Sequence, residues 1–272
     1  MKNILKSIGL LALIVFSFFY TDKVMNVVNN QDEIMIKLKS IEDNYKIEAI
    51  DATISDDTIV PGINGRVLDV EKTYKYLKQV GVVDESLFKY KVVSPKVSLS
   101  NNIDKYITKA NPKKDSVAIL ITLNSKTNLN KVLSVANSKK AKINFFIEYN
   151  YLMENIAILN ELKEHEVYSY IPYSPDTLII SNNIIKNKMY NEPIYCLTST
   201  KDIKVLNICS SSNMYTILPS IIGGYTEIKS SLENGSIILL SNDKITNELD
   251  ISINYIKNKG YNISGLSSHI SE

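Results

Sequence analysis

Gly235-Ser236-Ile237-Ile238-Leu239-Leu240-Ser241-Asn242 decides how this chain is read. A glycine turn opens into four consecutive aliphatic residues and closes on two small polar ones. A run this short, bounded by a glycine turn and polar residues, reads as a strand.

Working outward, the same rhythm spans the second half of the chain. Strand-like runs begin near Val117, Ile143, Glu166, Pro193, Met214, Ser236 and Tyr261. Helical patterns separate them over Leu129–Val135, Leu152–Leu162, Leu178–Ile185, Ile203–Cys209, Tyr225–Leu232 and Ile245–Ile256. Strand alternating with helix implies parallel strands joined by right-handed crossovers, as a barrel or as an open doubly wound sheet.

Upstream, Lys2 and Lys6 precede an apolar run from Ile8 to Tyr20, the pattern of an export signal. The residues after the run, Ser17-Phe18-Phe19-Tyr20-Thr21-Asp22, are too bulky for a cleavage site, and no Cys follows to accept a lipid. An uncleaved anchor over residues 1–28 is expected, with the positive end cytoplasmic and the rest outside. Ile34, Leu38, Ile41 and Tyr45 then make a helical stripe, expected as a stalk over 29–45. Residues 46–113 read as a small mixed α+β region. It has a strand at Lys46–Ile50, turn chemistry at Pro61-Gly62-Ile63-Asn64-Gly65, a helix over Asp69–Val80 capped by Asp69, and a strand at Phe88–Val93.

Composition excludes several functions. The formal net charge is +2, with no long basic run, so no nucleic-acid partner is expected. No Walker loop, dinucleotide fingerprint or Gly-x-Ser-x-Gly elbow occurs. Cys196 and Cys209 are expected as two small buried thiols, although a disulfide is open to an exported chain. Of the carboxylates, only Glu148 follows a strand end; it is expected as a solvated helix-entry residue.

Several segments resemble the NodB-type polysaccharide deacetylases, which hydrolyse N-acetyl groups on a divalent metal. Ala141-Lys142-Ile143-Asn144-Phe145-Phe146-Ile147 resembles their second strand, and Glu164-His165-Glu166-Val167 resembles their Gly-His-Glu-Ile. Gly235–Leu240 is similar to the strand before their last catalytic histidine. Leu249–Tyr261 and Leu266-Ser267 are similar to their closing helix, strand and Leu-Ser. The resemblance covers residues 114–272 and implies a deformed (β/α)7 barrel of NodB type, preceded by the membrane-anchor helix and the small α+β region.

The resemblance also implies where the chemistry should sit. The family's first strand ends in Thr-Phe-Asp-Asp, supplying a base and a ligand; the matching positions here are Thr122, Leu123 and Asn124. Its two histidines, four apart, fall on Tyr170 and Ser174, just before a matching Pro175-Asp176. Its Arg-Pro-Pro falls on Cys196-Leu197-Thr198 and its closing His-Asp on Ser241 and Asn242. A catalytic zinc needs about three His or carboxylate ligands and an open position. No metal, no cofactor and no confident catalytic residue are therefore expected.

What remains at the mouth is Asn124, Tyr170, Tyr173, Ser174 and Asn242, a set of amides, hydroxyls and aromatic faces suited to sugars. The expected function is an inactive, membrane-anchored, deacetylase-like module that binds cell-wall glycan or an envelope protein. Two other readings stay open: an active deacetylase or amidohydrolase with other ligands, and a structural envelope scaffold.

Overall fold

The structure, a computed structural model, describes residues 11, 13–17, 30–170, 174–189 and 192–272. Most of the expected anchor and Tyr173 lie outside the described residues. Among the described residues, no helix is long and apolar enough to cross a membrane.

In chain order the elements are α1 (Glu33–Ile41), β1 (Thr53–Ser55), β2 (Thr58–Val60), β3 (Gly65–Leu68), α2 (Val70–Val80), β4 (Tyr90–Val93), β5 (Tyr106–Ile107) and β6 (Ser116–Leu123). There follow α3 (Leu129–Ser138), β7 (Ile143–Ile147), α4 (Tyr149–Glu154), β8 (Glu166–Ser169), α5 (Pro175–Met189), β9 (Tyr195–Leu197), α6 (Ile203–Ser211) and β10 (Tyr215–Ile217). The last are β11 (Ile221–Gly223), α7 (Tyr225–Ser231), β12 (Ile237–Leu240), α8 (Asn242–Asn258), β13 (Asn262–Ile263) and α9 (Leu266–His269).

The chain divides into two compact units: Met1–Ala49 with Asn64–Val93, and Ile50–Ile63 with Ser94–Glu272. Residues 50–63 and 94–113 thus belong with the larger unit, whereas the sequence pattern groups them with the small region.

In the smaller unit, Gly65 to Leu68 of β3 lie antiparallel to Val93 to Tyr90 of β4. Asp69 caps α2 by accepting from Lys72 N at 3.1 Å. Residues 33–41 do form a helix, but not a free stalk. Met35 and Leu38 are buried against Leu68, Tyr74, Leu77 and Phe88, because an apolar stripe this short gains more by packing than by standing in water. Lys46–Ile50 makes only isolated bridges, Ile47 to Arg66 and Ile50 to Ile63. Gly62 and Gly65 lack positive φ. They are needed for close approach instead: a Cβ would collide with the carbonyl oxygen of Ile50 at Gly62 and of Ile47 at Gly65.

The larger unit holds two sheets. One runs β11-β12-β6-β7-β8, all parallel, with β13 pairing to the start of β6. The other runs β1-β2-β5-β10-β9, parallel except for the β1–β2 hairpin. All seven expected strands are present, with β11 as an addition. The ladders form two arcs: among the described residues none joins β8 to β9 or β10 to β11.

Side-chain alternation assigns each strand two faces. Val117, Ile119, Ile121 and Leu123 of β6 pack with Ile143, Phe145 and Ile147 against Val132, Ala136, Leu249 and Ile253 of the covering helices. Ala118 and Leu120 turn the other way, meeting Phe146, Tyr168, Leu197 and Ile217 in the interior between the sheets.

The C-terminal tail fills the end of that interior where the strands begin. Leu266 and Ile270 are fully buried there. Asn144 accepts from Leu266 N at 2.6 Å and donates to Ile119 O at 3.0 Å. Glu166 accepts from Ser267 N (2.8 Å), Ser267 Oγ (2.6 Å) and the Tyr168 hydroxyl (2.6 Å). Burial works against its charge, but these bonds and Lys142 outweigh burial and hold the carboxyl below its usual value. The opposite end, where the strands finish, carries the candidate site.

The expected pair of thiols is corrected. Cys196 and Cys209 form a disulfide with Cα atoms 6.3 Å apart. Cys196 points out of β9 onto the apolar face of α6, within the reach a disulfide needs, and packs with Leu178, Val205 and Met214. Cys196→Ala with Cys209→Ala is expected to lower unfolding free energy by about 2–4 kcal/mol in urea titration. An unchanged midpoint would show that the bond adds nothing.

Candidate functional site

The mouth begins where β6 ends. Alternation continues from Ala118 and Leu120 through Thr122 and Asn124, so these two face the interior. Leu123 does not: it is fully buried on the helix side, which removes it from the candidate site. Thr122 and Asn124 are both buried. Thr127 Oγ1 donates to Thr122 O at 3.0 Å, and Asn124 N donates to Thr127 Oγ1 at 3.3 Å. Lys126 N donates to Asn124 Oδ1 at 3.0 Å, so one side of the amide is fixed by its own turn.

The other side of the amide makes the main contact of the site. Asn124 Nδ2 donates to Glu148 Oε1 at 3.0 Å. Glu148 enters α4 as its N-cap residue, as the sequence predicts, and is half-buried rather than freely solvated. The sequence held the signal: Leu123 pairs with Ile147 across the parallel ladder, so the next residues, Asn124 and Glu148, leave adjacent strands side by side.

The remaining expected residues sit on several different elements. Tyr170, following β8, is half-buried, packs on the interior cluster and donates its N–H to Ile147 O at 2.9 Å. Ser174 caps α5, with its Oγ 3.3 Å from Thr177 N and 3.2 Å from Thr177 Oγ1, so its hydroxyl is already engaged. Cys196 faces away from the interior in its disulfide, which removes it from the site; Leu197 faces in. Thr198 is buried, its hydroxyl donating to Thr200 O at 2.7 Å. Ser241 is half-buried at the entrance to α8, and Asn242, the first residue of α8, is exposed.

Neither histidine is at the mouth. His165 accepts from Ile143 N at 3.3 Å, at the start of β7. His269 lies between Ser116 Oγ (2.9 Å) and Gly235 O (3.0 Å) at the far end of the interior, where burial presses its pKa down to about 4. Among the described residues, no three His, Cys, Asp or Glu side chains gather in a way that could hold a metal ion. Glu148 alone lacks partners for one.

Solved structures of polysaccharide deacetylase type match these two parallel-stranded arcs with their covering helices, so the fold is the NodB-type polysaccharide deacetylase fold. No family model matches the chain. The uncharacterized protein YlxY of Bacillus subtilis (strain 168) is 25% identical over 280 residues, covering 91% of this chain and 86% of its own. Wild-type BA3943 from Bacillus anthracis, a CE4 family pseudoenzyme, is 22% identical with a TM-score of 0.63, over 89% of this chain and 96% of its own. A BA3943 mutant with restored enzymatic activity superposes with a TM-score of 0.64 at 21% identity, over 89% and 99%. The Bc1960 peptidoglycan N-acetylglucosamine deacetylase is 16% identical with a TM-score of 0.53, over 61% of this chain and 92% of its own.

Proposed function

We propose that this chain is a membrane-anchored, extracytoplasmic, deacetylase-like protein that binds cell-envelope glycan without hydrolysing it. The carrying observation is the Asn124–Glu148 pair standing where the fold's mouth would hold its metal and acids. Hydrolysing an amide at neutral pH calls for an activated water, and an amide–carboxylate pair is not the set of about three His or carboxylate ligands that would hold a metal to activate it. It does supply fixed hydrogen-bonding groups. The second Nδ2 hydrogen of Asn124 and the free Oε2 of Glu148 suit sugar hydroxyls and an N-acetyl group, which need both donors and acceptors. Tyr170 adds an aromatic face. BA3943, a pseudoenzyme of this fold, and Bc1960, a peptidoglycan N-acetylglucosamine deacetylase, support glycan as the ligand class. Restored activity in a BA3943 mutant supports reading the fold as intact and the chemistry as lost. Strands β6 to β13 are read as a deformed (β/α)7 barrel, opened between its two arcs.

The export reading rests on Lys2, Lys6 and the apolar run from Ile8 to Tyr20. The buried disulfide fits an oxidising compartment. Protease added to intact cells is expected to remove the C-terminal part. Full protection, with cleavage only after lysis, would place the domain inside.

Binding is tested by titrating a tetramer of N-acetylglucosamine into the full chain. Asn124→Ala and Glu148→Ala are each expected to weaken binding by about tenfold or more, the effect of losing a hydrogen bond to a charged or polar ligand group. Equal affinity of both variants and parent would remove the mouth as the site.

A further inference from the structure

The mouth holds a carboxylate whose charge sugar hydroxyls leave unanswered. Glu148 stands between β7 and α4, half-buried, with Oε1 accepting from Asn124 Nδ2 at 3.0 Å. Asn124 is itself buried, and its Oδ1 is held by Lys126 N at 3.0 Å, so the amide meets the carboxylate from a fixed position. Glu148 is the N-cap residue of α4, yet its side chain does not turn back to cap the helix. Oε2 therefore has no hydrogen-bond partner among the described residues.

No cation answers the charge either. Glu148 makes no ion pair among the described residues. The lysines that follow the ends of β9 and β12 are spent elsewhere, Lys201 on Asp57 and Lys244 on Glu248. Lys126, beyond β6, is exposed and makes no ion pair among the described residues. Residues 171–173, between β8 and α5 in sequence, include no lysine or arginine. One neutral amide and no countercharge make an incomplete site for a carboxylate drawn partly out of water. An ammonium completes it, through a charge-assisted hydrogen bond about twice as strong as one from a neutral N–H.

We propose that the mouth prefers envelope glycan whose amino sugars carry a free amine, and that Glu148 Oε2 receives this amine as an ammonium. The proposal rests on the glycan reading and deepens it by naming the form of the glycan. An acetamide offers Oε2 one neutral N–H; an ammonium offers three N–H groups and the opposite charge. The second Nδ2 hydrogen of Asn124 is left for a sugar hydroxyl. Overall charge does not supply the preference, because a chain of net charge +2 repels a polycation. Free-amine glycan is the product of N-acetyl hydrolysis, so a deacetylation step must precede binding.

The test titrates tetramers of glucosamine and of N-acetylglucosamine in parallel into the full chain, by calorimetry at about pH 6, where the sugar amine is protonated. The glucosamine tetramer is expected to bind about tenfold more tightly. Glu148→Gln keeps an acceptor for Asn124 but removes the charge, and should bring the two tetramers within about twofold of each other. Glu161→Gln, which removes an exposed carboxylate ahead of β8, should keep the preference. Equal or tighter binding of the N-acetylated tetramer by the parent would overturn the proposal and leave the glycan reading standing. A preference that survives in Glu148→Gln would overturn it by placing the amine elsewhere, and loss of preference in both variants would reduce it to general charge. No binding of either tetramer would overturn the glycan reading and this proposal with it.

Discussion

Tyr170→His, Ser174→His and Asn124→Asp together are expected to create zinc affinity near about 1 µM, where the parent shows no saturable binding. Two imidazoles and a carboxylate are the ligand set zinc requires, and Glu148 already lies 3.0 Å from the side chain at position 124. Sequence similarity leaves Thr122, Leu123 and Asn124 equivalent as the place for the aspartate; the fold separates them. Leu123 faces the helix layer and is fully buried, so Leu123→Asp would bury an unpaired carboxylate at a cost of several kcal/mol (about 3 or more) and aim it away from the mouth. Thr122 faces inward but lies deeper than Asn124, two residues earlier along the strand. Calorimetric zinc titration of the three triple variants should therefore rank Asn124→Asp first, with the Leu123→Asp protein unfolded or inert. Zinc binding only in the Leu123→Asp protein would invert the assigned faces of β6 and with them the site.

Lowering the pH from about 6.5 to about 4 is expected to remove about 3 kcal/mol of stability through His269 alone. In the folded chain the ring is nearly fully buried, bonded to Gly235 O and Ser116 Oγ, and titrates at about 4; unfolded, it titrates at its ordinary value of 6.5. The folded state thus favours the neutral ring. Its contribution is complete above the unfolded pKa and is lost as the pH falls toward the folded one. Glu166 works in the same direction at lower pH, since its carboxyl is also depressed in the fold. Urea titrations at pH 7.5 and 4.5 should show the parent losing more stability than His269→Gln, which cannot protonate in this range. NMR should find the ring of His269 unprotonated until the pH approaches about 4. A midpoint near 6.5 would mean the ring is exposed and the C-terminal plug is loose.

The strands were legible because β6, β7 and β12 are short apolar runs bounded by polar residues and alternate with helical patterns along the chain. β11 was not, since Ile221-Ile222-Gly223 is too short to carry a period. The helix expected over Leu152–Leu162 divides into α4 and a 3-10 turn at Ile156–Asn160, with Asn155 outside helical geometry between them. The site was legible only in part. Thr122, Asn124 and Tyr170 could be placed from strand ends, but which side of a strand a residue faces depends on register. The sequence therefore put Leu123 and Cys196 into a mouth that neither reaches. The helix-entry position of Glu148 is legible, but its bond to Asn124 is not: that partner stands 24 residues away in sequence and one ladder step away in space. The disulfide needed the distance between β9 and α6, which no spacing rule supplies.

The central claim is binding without turnover, and one measurement addresses it directly. The full chain is incubated with the N-acetylglucosamine tetramer and added zinc, and the sugar is then weighed by mass spectrometry. Binding of the tetramer with every acetyl group still in place is the predicted result. Loss of acetyl groups that a chelator abolishes would contradict it and make the chain a working deacetylase.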